Sequence, residues 1–271
     1  MECADKEVDT TVVTEVKRVC DRLYLNDSHM FECAATLLRL SELEDKDCKH
    51  GRHRLLVNQS VFHPQGGGQP TDEGTITFPD GAVFDVVFVQ SNADGDVEHL
   101  GSFSGSVEDP VSKYVAGTSL QLAVNKEKRV EHIRLHSAGH VMDAALKRLG
   151  YWDRVQSGKG YHFPDNPYVE YVGQLTPEEM ESLPDLLNDE IKKIVHENIE
   201  TNLFMEDKTV AGELCGIDTT NYPDVVRVAD IAGHPCPCGG THIKNTAELG
   251  VLTVTKCKKK KKNIRISYVL G

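Results

Sequence analysis

Two short segments, about a hundred residues apart, each place two metal-binding side chains four positions apart in the chain. The first pair is His136 and His140, and the second pair is Cys238 and His242. Together the two segments supply one thiolate and three imidazoles, which is a complete set of four ligands for zinc. The sequence therefore predicts a fold in which these distant segments meet at one metal site.

Helical periodicity surrounds the first pair. Apolar residues recur every three or four positions between Asn125 and Leu149, and Gly150 follows as a typical stop signal. On such a helix, His136 and His140 project from the same face, one turn apart. Because a lone histidine pair on an amphipathic helix is also typical of half-buried side chains, the zinc interpretation depends on the second pair.

A proline and two glycines shape the second pair. Pro237 has no amide hydrogen, and Gly239 and Gly240 are costly within a helix, so we predict a tight loop after a strand. This loop would bring the second pair to the helix. Cys236 competes with Cys238 for the position of the thiolate ligand, and the spacing alone does not decide between them.

The bulk composition favours a folded protein of a reducing compartment. A chain of 271 residues suits two modest domains or one large one, and an apolar content of 39% is ample for packed cores. Residues 1–7 are acidic without the apolar core of a secretory signal, and the eight cysteines follow no disulfide pattern. No stretch of about eighteen apolar residues is present to span a membrane. We therefore expect a cytoplasmic protein without membrane contact.

Positive charge is concentrated near the C-terminus of an otherwise acidic chain. The net charge of -12 disfavours broad contact with nucleic acid, but phosphate contacts depend on local lysines and arginines. The run Lys258–Lys262 lies between two strand-like segments, Val251–Thr255 and Ile264–Val269, and would form the tip of a hairpin. A phosphate contact and a plain solvated turn both fit this lysine run.

Short strands without intervening helices characterise the first half of the chain. Turn signals separate them, and a glycine-rich loop, Gly66–Gly68, lies between Pro64 and Pro70. Such a series is typical of a small antiparallel barrel. The predicted strands are Phe31–Leu40, His53–Phe62, Gly74–Phe78, Ala82–Val89 and Val97–Leu100.

Longer helices and strands alternate in the second half. Thr176, Pro177 and Glu179 give an N-cap, a proline at the first helical position and a capping-box glutamate. Pro184 would kink or divide the helix that follows. The predicted strands here are Val155–Phe163, Tyr168–Val172, Thr201–Met205 and Val225–Ala229.

These elements predict an α+β fold in three parts. A lead-in, residues 1–24, precedes a small antiparallel β-barrel domain with the glycine-rich motif, residues 25–110. An α+β domain with an antiparallel sheet and the metal site, residues 111–271, completes the chain. The hydrophilic segment from Gly101 to Gly117 contains the predicted boundary.

Four motifs resemble, in order and spacing, those of the free-standing alanyl-tRNA editing proteins. They are the glycine-rich segment Val61–Pro70, the HxxxH helix, the glycine turn that contains Gln156, and the segment Pro237–His242. This family is similar to the editing domain of alanyl-tRNA synthetase and to the second additional domain of threonyl-tRNA synthetase. The resemblance covers roughly residues 25 to 270, and the combination of motifs is specific although each alone is weak.

This resemblance implies a zinc-dependent hydrolase that acts in trans on mischarged tRNA. It would remove serine, and also glycine, from alanine tRNA, and it would bind the acceptor stem and the aminoacyl end. One zinc ion per chain would be held by the side chains that match the metal ligands of the family. The sequence does not determine the oligomeric state, and we expect a monomer. The implied ligands are His136, His140, Cys238 and His242.

The resemblance and the chemistry of the substrate indicate further site residues. Gln156 matches a position that lines the amino-acid pocket, and Gln69 falls in the glycine-rich loop with Gly67 and Gly68. A pocket that hydrogen-bonds the serine hydroxyl would reject alanine, so we expect Gln156, Thr241 and Gln69 to form its polar lining. The residues expected to hold the tRNA backbone are Lys258, Lys259, Lys260, Lys261 and Lys262.

Some features near the motifs leave alternatives open. His234 and Cys236 lie beside the predicted thiolate ligand, and His63 stands where an aromatic residue is common in the family. Four protein ligands would also close the zinc site. Catalysis would then require that the zinc gain a fifth ligand, release one, or orient the substrate amino group.

Other functions fit parts of the same pattern. A binding module could hold RNA with the barrel and the lysines around a purely structural zinc. A related deacylase could act on threonine tRNA charged with serine. The tripeptide Gly67–Gln69 also occurs in peptide release factors, but here prolines and strands frame it.

Overall fold

The structure of residues 20–271, a computed structural model, combines a closed β-barrel with two further antiparallel sheets and several helices. This confirms the α+β fold and the N-terminal barrel predicted from the sequence. Most of the predicted lead-in, residues 1–24, lies outside the described part of the chain. Within residues 20–271, no helix combines the length and the apolar character that crossing a membrane requires.

The barrel is built from strands that lie between residues 20 and 124. The strands of this region are β1 (Asp21–Arg22), β2 (Glu32–Glu42), β3 (His53–Val57), β4 (Gln59–Ser60), β5 (Gly74–Thr77), β6 (Val83–Ser91), β7 (Val97–Phe103) and β8 (Ser119–Val124). The barrel follows the order β2-β3-β7-β6-β5-β8 with antiparallel neighbours, whereas β1 pairs in parallel with β4 outside it. Closure leaves the barrel without an open edge.

Alternation along the strands fills the barrel interior with apolar side chains. In β6, Phe84 and Val86 are buried, whereas Asp85 and Val87 face solvent. A bulge between Val86 and Phe88 shifts this register by one residue, so that Val89 is the next buried side chain. The two-residue period of a half-buried strand is therefore the physical basis of the barrel core.

The last barrel strand lies beyond the predicted domain boundary. Strand β8 pairs with both β2 and β5 and completes the barrel. Between β7 and β8, the short helix α1 (Pro110–Lys113) precedes Tyr114, whose ring packs against Phe78 with 4.0 Å between centroids. The division into domains after residue 110 stays a prediction, while the barrel itself extends to Val124.

A long helix follows the barrel directly, as predicted. Helix α2 (Lys126–Arg148) is capped by Asn125, whose side chain accepts a hydrogen bond from the amide of Lys128. Gly150 follows the helix with a φ of 78°, a conformation that glycine adopts without strain. All residues from Leu135 to Leu146 are buried, so the predicted histidine pair lies inside the molecule.

The rest of the chain forms two sheets and two helices. Its elements are β9 (Val155–Tyr161), β10 (Tyr168–Gly173), α3 (Pro177–Glu197), β11 (Asn202–Asp207), α4 (Lys208–Cys215), β12 (Val225–Ile231), β13 (His234–Pro237), β14 (Leu252–Lys260) and β15 (Asn263–Leu270). One antiparallel sheet has the order β14-β15-β10-β9, and the other has the order β11-β12-β13. The predicted capping box of α3 is present, and the helix continues through Pro184 without a division.

Two local predictions about the C-terminal part need correction. Cys236 and Pro237 belong to strand β13, where they pair with Ala229 and Val228, and not to a loop. Proline fits here because it is the last residue of an edge strand. The tip of the β14–β15 hairpin consists of residues 261–262, whereas the lysines at 258–260 belong to β14.

A buried ion pair joins α2 to the barrel. Arg129 and Asp72 are almost completely inaccessible, and Nε of the guanidinium lies 2.9 Å from one carboxylate oxygen. The guanidinium also donates to the carbonyl oxygens of Ser28 and Val61, and the amide of His63 donates to the carboxylate. Although burial raises the pKa of Asp72, the charge of Arg129 lowers it to about 2. The pair is therefore ionised, and its hydrogen bonds tie α2 to three barrel segments.

We expect Asp72→Ala to destabilise the protein by about 3–5 kcal/mol, because it leaves the charge of Arg129 buried without a partner. The matched control is Glu73→Ala, which removes the partner of Lys128 from an ion pair with side chains 41% and 47% exposed. The control should cost less than about 1 kcal/mol. Urea unfolding followed by circular dichroism measures the free energy of unfolding of both variants. Equal losses of stability in the two variants would contradict the role of the buried pair.

Candidate metal centre

The four predicted ligands come together at one point. One ligand atom each of His136, His140, Cys238 and His242 lies within 4.8 Å of the other three. The first two residues lie one turn apart on α2, and the other two lie on the segment after β13, residues 238–242, here called the ligand loop. This group of side chains could bind a metal ion.

The histidines of this group are in the neutral form that binds a cation. Burial, reinforced by the neighbouring histidines, lowers the pKa of His136 and His242 well below the usual value. Burial also lowers the pKa of His140 to about 3. Both ring nitrogens of His242 lack a hydrogen-bond partner among the described residues. Such buried, unpaired groups are costly, and a bound metal ion would relieve one of them.

Gln69 of the glycine-rich loop orients one ligand. Its side-chain oxygen lies 2.7 Å from Nδ1 of His136 and accepts a second hydrogen bond from the amide of Thr241 at 3.1 Å. When Nδ1 of His136 donates to Gln69, Nε2 keeps its lone pair and faces Sγ of Cys238, 3.5 Å away. The barrel loop therefore fixes which nitrogen of His136 is available to a metal.

Gln69 and Thr241 lie next to the metal ligands, in the interior of the protein. Both residues are fully buried, and the amide nitrogen of Gln69 donates to the hydroxyl of Thr241 at 2.9 Å. The structure thus brings these two predicted site residues to the centre, where they support a ligand. Their contact with an amino acid stays a prediction.

The ligand loop can approach α2 only because it contains glycine. A Cβ atom at Gly240 would lie 2.0 Å from Cε1 of His136, so even alanine would displace this ligand. Arg227 of β12 holds the loop, since its Nη1 donates to the carbonyl oxygens of Cys238 and Gly240 at 2.6 and 3.0 Å. The same guanidinium donates through Nε to the carbonyl oxygen of Leu25, which links the loop to the N-terminal part.

Cys236 lies beside the centre but outside the four-ligand group. Its Sγ lies 3.2 Å from Nδ1 of His140. When this nitrogen donates to the sulfur, Nε2 of His140 is left for a metal ion. The geometry therefore favours Cys238 as the thiolate ligand and Cys236 as the partner that orients His140.

A cavity of about 530 Å³ opens between the glycine-rich loop and β9. Residues 65–69 form one wall, and residues 158–161 with Phe163 form the other. Gly67 and Gly68 belong to the first of these walls. The predicted site residue Gln156 is exposed outside the cavity and pairs with Val172. A larger cavity of about 780 Å³ between α3 and β14 contains none of the four ligands.

The lysines predicted to hold tRNA are exposed at the free end of the β14–β15 hairpin. Arg265, opposite Lys258 on β15, lies over the ring of Tyr168 at 3.7 Å. Tyr168 in turn stacks on Tyr161, with 5.2 Å between centroids, and Tyr161 lines the cavity. A basic and aromatic path, formed by the lysine run, Arg265, Tyr168 and Tyr161, therefore connects the hairpin with the cavity. Within this path, Arg265 is paired with Glu170 at 2.6 Å, so the free positive charge comes from the lysines.

His162 is a further histidine at the centre that the metal motifs do not predict. Its ring stacks on that of His136, with 4.8 Å between centroids and 16° between planes. Burial lowers the pKa of His162 to about 4. The available signal in the sequence is the alternation of Gly158 and Gly160 just before it, because small residues leave room for a ring.

Comparison with known proteins shows which proteins this chain resembles. Residues 226–266 match the family model described as the threonyl and alanyl tRNA synthetase second additional domain, and this segment includes the ligand loop. The chain is 27% identical over 256 residues to the alanyl-tRNA editing protein AlaX-L of Pyrococcus horikoshii. It is also 30% identical over 237 residues to the alanine–tRNA ligase of Streptococcus thermophilus, and 27% identical over 214 residues to that of Thermotoga maritima.

The extent of these matches differs between the relatives. They cover 93% of this chain for AlaX-L, 84% for the Streptococcus ligase and 77% for the Thermotoga ligase. The chain spans 58% of the length of AlaX-L, but only 26% and 23% of the two ligases. The chain therefore resembles an alanyl-tRNA editing protein, as its motifs indicate, and it corresponds to part of the ligases.

Substitution of the two neighbouring cysteines should separate their roles. Cys238→Ala removes a ligand and should leave little bound metal where the unaltered protein holds about one ion per chain. Cys236→Ala removes only the partner of His140 and should weaken metal affinity by about 10- to 100-fold. Competition with a chromophoric chelator, with zinc as the ion, measures both affinities.

Cys257→Ala is the matched control, because Cys257 is half-buried on β14 and lies outside the four-ligand group. It should keep the metal affinity of the unaltered protein. If Cys236→Ala abolished metal binding while Cys238→Ala kept it, Cys236 would be the ligand and the assignment would be reversed.

Proposed function

We propose that this chain is an aminoacyl-tRNA deacylase that acts in trans and removes serine, and also glycine, from mischarged alanine tRNA. The observation that carries the proposal is the convergence of three histidines and one cysteine near a glycine-walled cavity. A relative similar along 93% of this chain is named an alanyl-tRNA editing protein. The bond to be cut is the ester between the amino acid and a ribose hydroxyl.

We infer that the metal is zinc, one ion per chain. A set of three imidazoles and one thiolate suits zinc better than magnesium or calcium, which prefer oxygen ligands. The unpaired ring nitrogens of His242 fit this inference. Zinc bound here would polarise the ester carbonyl and lower the pKa of nearby water to about 7. A side-chain nucleophile is then not required.

The contribution of the chain itself is to hold the reacting groups in fixed positions. Gln69 and Cys236 each contact the outer nitrogen of a ligand histidine, which sets the tautomer and the orientation of the ring. Gly67 and Gly68 allow the backbone to approach the aminoacyl end without intervening side chains. Because the ligand histidines are buried, electrostatic interactions with an ester bound beside them would be stronger than in solution.

Selection of serine over alanine requires polar groups that hydrogen-bond to the serine hydroxyl. A site that hydrogen-bonds the serine hydroxyl leaves its own groups unpaired with alanine. The hydroxyl of Thr241 accepts a hydrogen bond from Gln69 and keeps its own hydrogen to donate. We therefore assign recognition of the serine hydroxyl to Thr241, with Gln69 holding it in place.

The acceptor stem would lie along the basic and aromatic path. The lysines at 258–262 would contact phosphates, and the unpaired 3′ end would pass the aromatic side chains beside the cavity. Since the net charge is -12, this attraction is local. The cysteines of residues 20–271 are free thiols, as is usual in a reducing compartment, and we propose the cytoplasm as the site of the reaction. We also propose that the protein acts as a monomer without membrane contact.

A second function is favoured by one observation. Four protein side chains, all largely shielded, could supply the four ligands of a structural zinc, with no position left for substrate. On this interpretation the chain is an RNA-binding module whose zinc only stabilises the fold. The two functions differ in what the removal of zinc does to the fold.

The zinc-loaded protein should hydrolyse seryl-tRNA and glycyl-tRNA of the alanine type and leave alanyl-tRNA intact. A chelator should abolish turnover while the circular dichroism spectrum is kept, and added zinc should restore activity. Threonine tRNA charged with serine is the parallel substrate that tests tRNA identity. Absence of hydrolysis by the zinc protein, together with loss of the fold on chelation, would favour the RNA-binding module.

Replacement of the lysines at 258–262 by glutamine should weaken tRNA binding and flatten its salt dependence. Each lost phosphate contact should reduce the slope of log K against log salt by about 1. Lys46→Gln with Lys49→Gln, at exposed positions of the barrel, is the control and should change neither quantity. Filter binding at several salt concentrations gives the slopes, and an unchanged slope would exclude the hairpin from the tRNA contact.

A further inference from the structure

The ring of His162 lies beside the metal centre, in a space that three glycines leave open. This residue follows β9, is 5% exposed and stacks on His136. Three glycines surround its ring: a Cβ at Gly68, Gly139 or Gly160 would come within 3.1, 2.6 or 2.4 Å of a ring atom. The backbone amide of His162 also donates to the carbonyl oxygen of Gly68 at 2.9 Å. Contacts from three segments of the chain therefore fix the ring.

Hydrogen bonds determine the tautomer of His162. Its Nδ1 lies 2.7 Å from the hydroxyl oxygen of Tyr268. That hydroxyl donates its only hydrogen to the carbonyl oxygen of Leu135 at 2.8 Å, so it accepts a hydrogen bond from Nδ1. The proton of the neutral ring is therefore on Nδ1, and Nε2 carries a lone pair.

The hydrogen bond to Tyr268 occupies Nδ1 of His162. The lone pair on Nε2 has no hydrogen-bond partner within residues 20–271. Nε2 is the ring atom nearest to the position that a Cβ of Gly160 would take. Gly160 and Gly68 both belong to the walls of the 530 Å³ cavity. His162 itself is not among the residues that line the cavity, but its ring lies directly behind the wall formed by Gly68 and Gly160. Because these glycines carry no side chain, an acceptor of fixed orientation lies behind this wall and beside the metal centre.

We propose that Nε2 of His162 accepts a hydrogen bond from the aminoacyl group bound in this cavity. The donor is an N–H of the α-ammonium group or the O–H of the serine side chain. An acceptor whose tautomer is fixed by Tyr268 binds a donor and disfavours another acceptor at the same place. The inference rests on the proposed function for the identity of the ligand, whereas the tautomer of His162 does not depend on it.

The direct test is nitrogen-15 NMR of the zinc-loaded protein labelled at histidine, with His162 assigned from the His162→Asn variant. Without ligand, Nδ1 should carry the proton and Nε2 should carry none. A saturating 3′-seryl-amino-3′-deoxyadenosine, which resists hydrolysis, should move the Nε2 resonance and leave that of the exposed His196 unchanged. A proton on Nε2 without ligand, or an unmoved resonance at saturating analogue, overturns the proposal.

Two further analogues identify the donor. The glycyl analogue keeps the ammonium group without the hydroxyl, and the 3-hydroxypropanoyl analogue keeps the hydroxyl without the ammonium group. A shift with the glycyl analogue alone assigns the ammonium group, and a shift with the hydroxypropanoyl analogue alone assigns the hydroxyl. If the seryl analogue and both of these leave the Nε2 resonance unmoved, the proposal is wrong.

Kinetic variants separate recognition of the substrate from support of the metal. His162→Asn keeps a donor for Tyr268 but removes Nε2, and it should lower kcat/KM for seryl-tRNA by about 10- to 100-fold at unchanged zinc content. His162→Gln places an amide oxygen near the position of Nε2 and should recover part of this loss. His196→Asn, on the exposed side of α3, is the control and should match the unaltered protein.

The outcomes distinguish this inference from the proposed function. If the unaltered protein hydrolyses none of the tRNAs while the analogue still moves the Nε2 resonance, the proposed function fails and the inference stands. If both variants lose zinc together with activity, His162 only supports the metal centre, and the inference is overturned.

Discussion

The meeting of helix α2 and the ligand loop at one cation-sized space is the interaction on which the structure depends. Each segment contributes two donors, and neither set alone completes a zinc site. The helix sets the distance between its two histidines, since residues four apart project from one face. The loop can reach them only where Gly240 leaves room for the ring of His136. Burial keeps the three histidine rings neutral and leaves both ring nitrogens of His242 without a hydrogen-bond partner among the described residues. A bound cation would stabilise this state.

The barrel supplies none of these ligands, yet it determines their positions. The pair of Arg129 and Asp72 anchors the start of α2 in the barrel without access to solvent. The glycine-rich loop contributes Gln69, which hydrogen-bonds to His136 and selects the nitrogen that faces the metal. Since β8 closes the barrel and continues through Asn125 into α2, the barrel and the helix are built as one unit. The cavity lies between this loop and β9, so a substrate held there would contact both parts of the chain.

Periodicity and spacing predicted the elements, whereas tertiary contacts decided the roles of individual side chains. The helical repeat and the stop at Gly150 were enough for α2, and strand alternation was enough for the barrel class. The choice between Cys236 and Cys238 needed geometry, because their relation to the two α2 histidines has no signature in the sequence. The tautomer of His162 was equally hidden, since it depends on Tyr268 from a distant strand. Strand β8 was not predicted as part of the barrel, because its partners β2 and β5 lie far away in the sequence.

We propose that a single zinc ion is held by one sulfur and three nitrogens from two distant segments. X-ray absorption at the zinc edge, recorded on the protein in solution, counts ligands by type and distance. One sulfur at about 2.3 Å and three nitrogens at about 2.0–2.1 Å are the result expected from this structure. A shell with two sulfur ligands, or one dominated by oxygen, would contradict it.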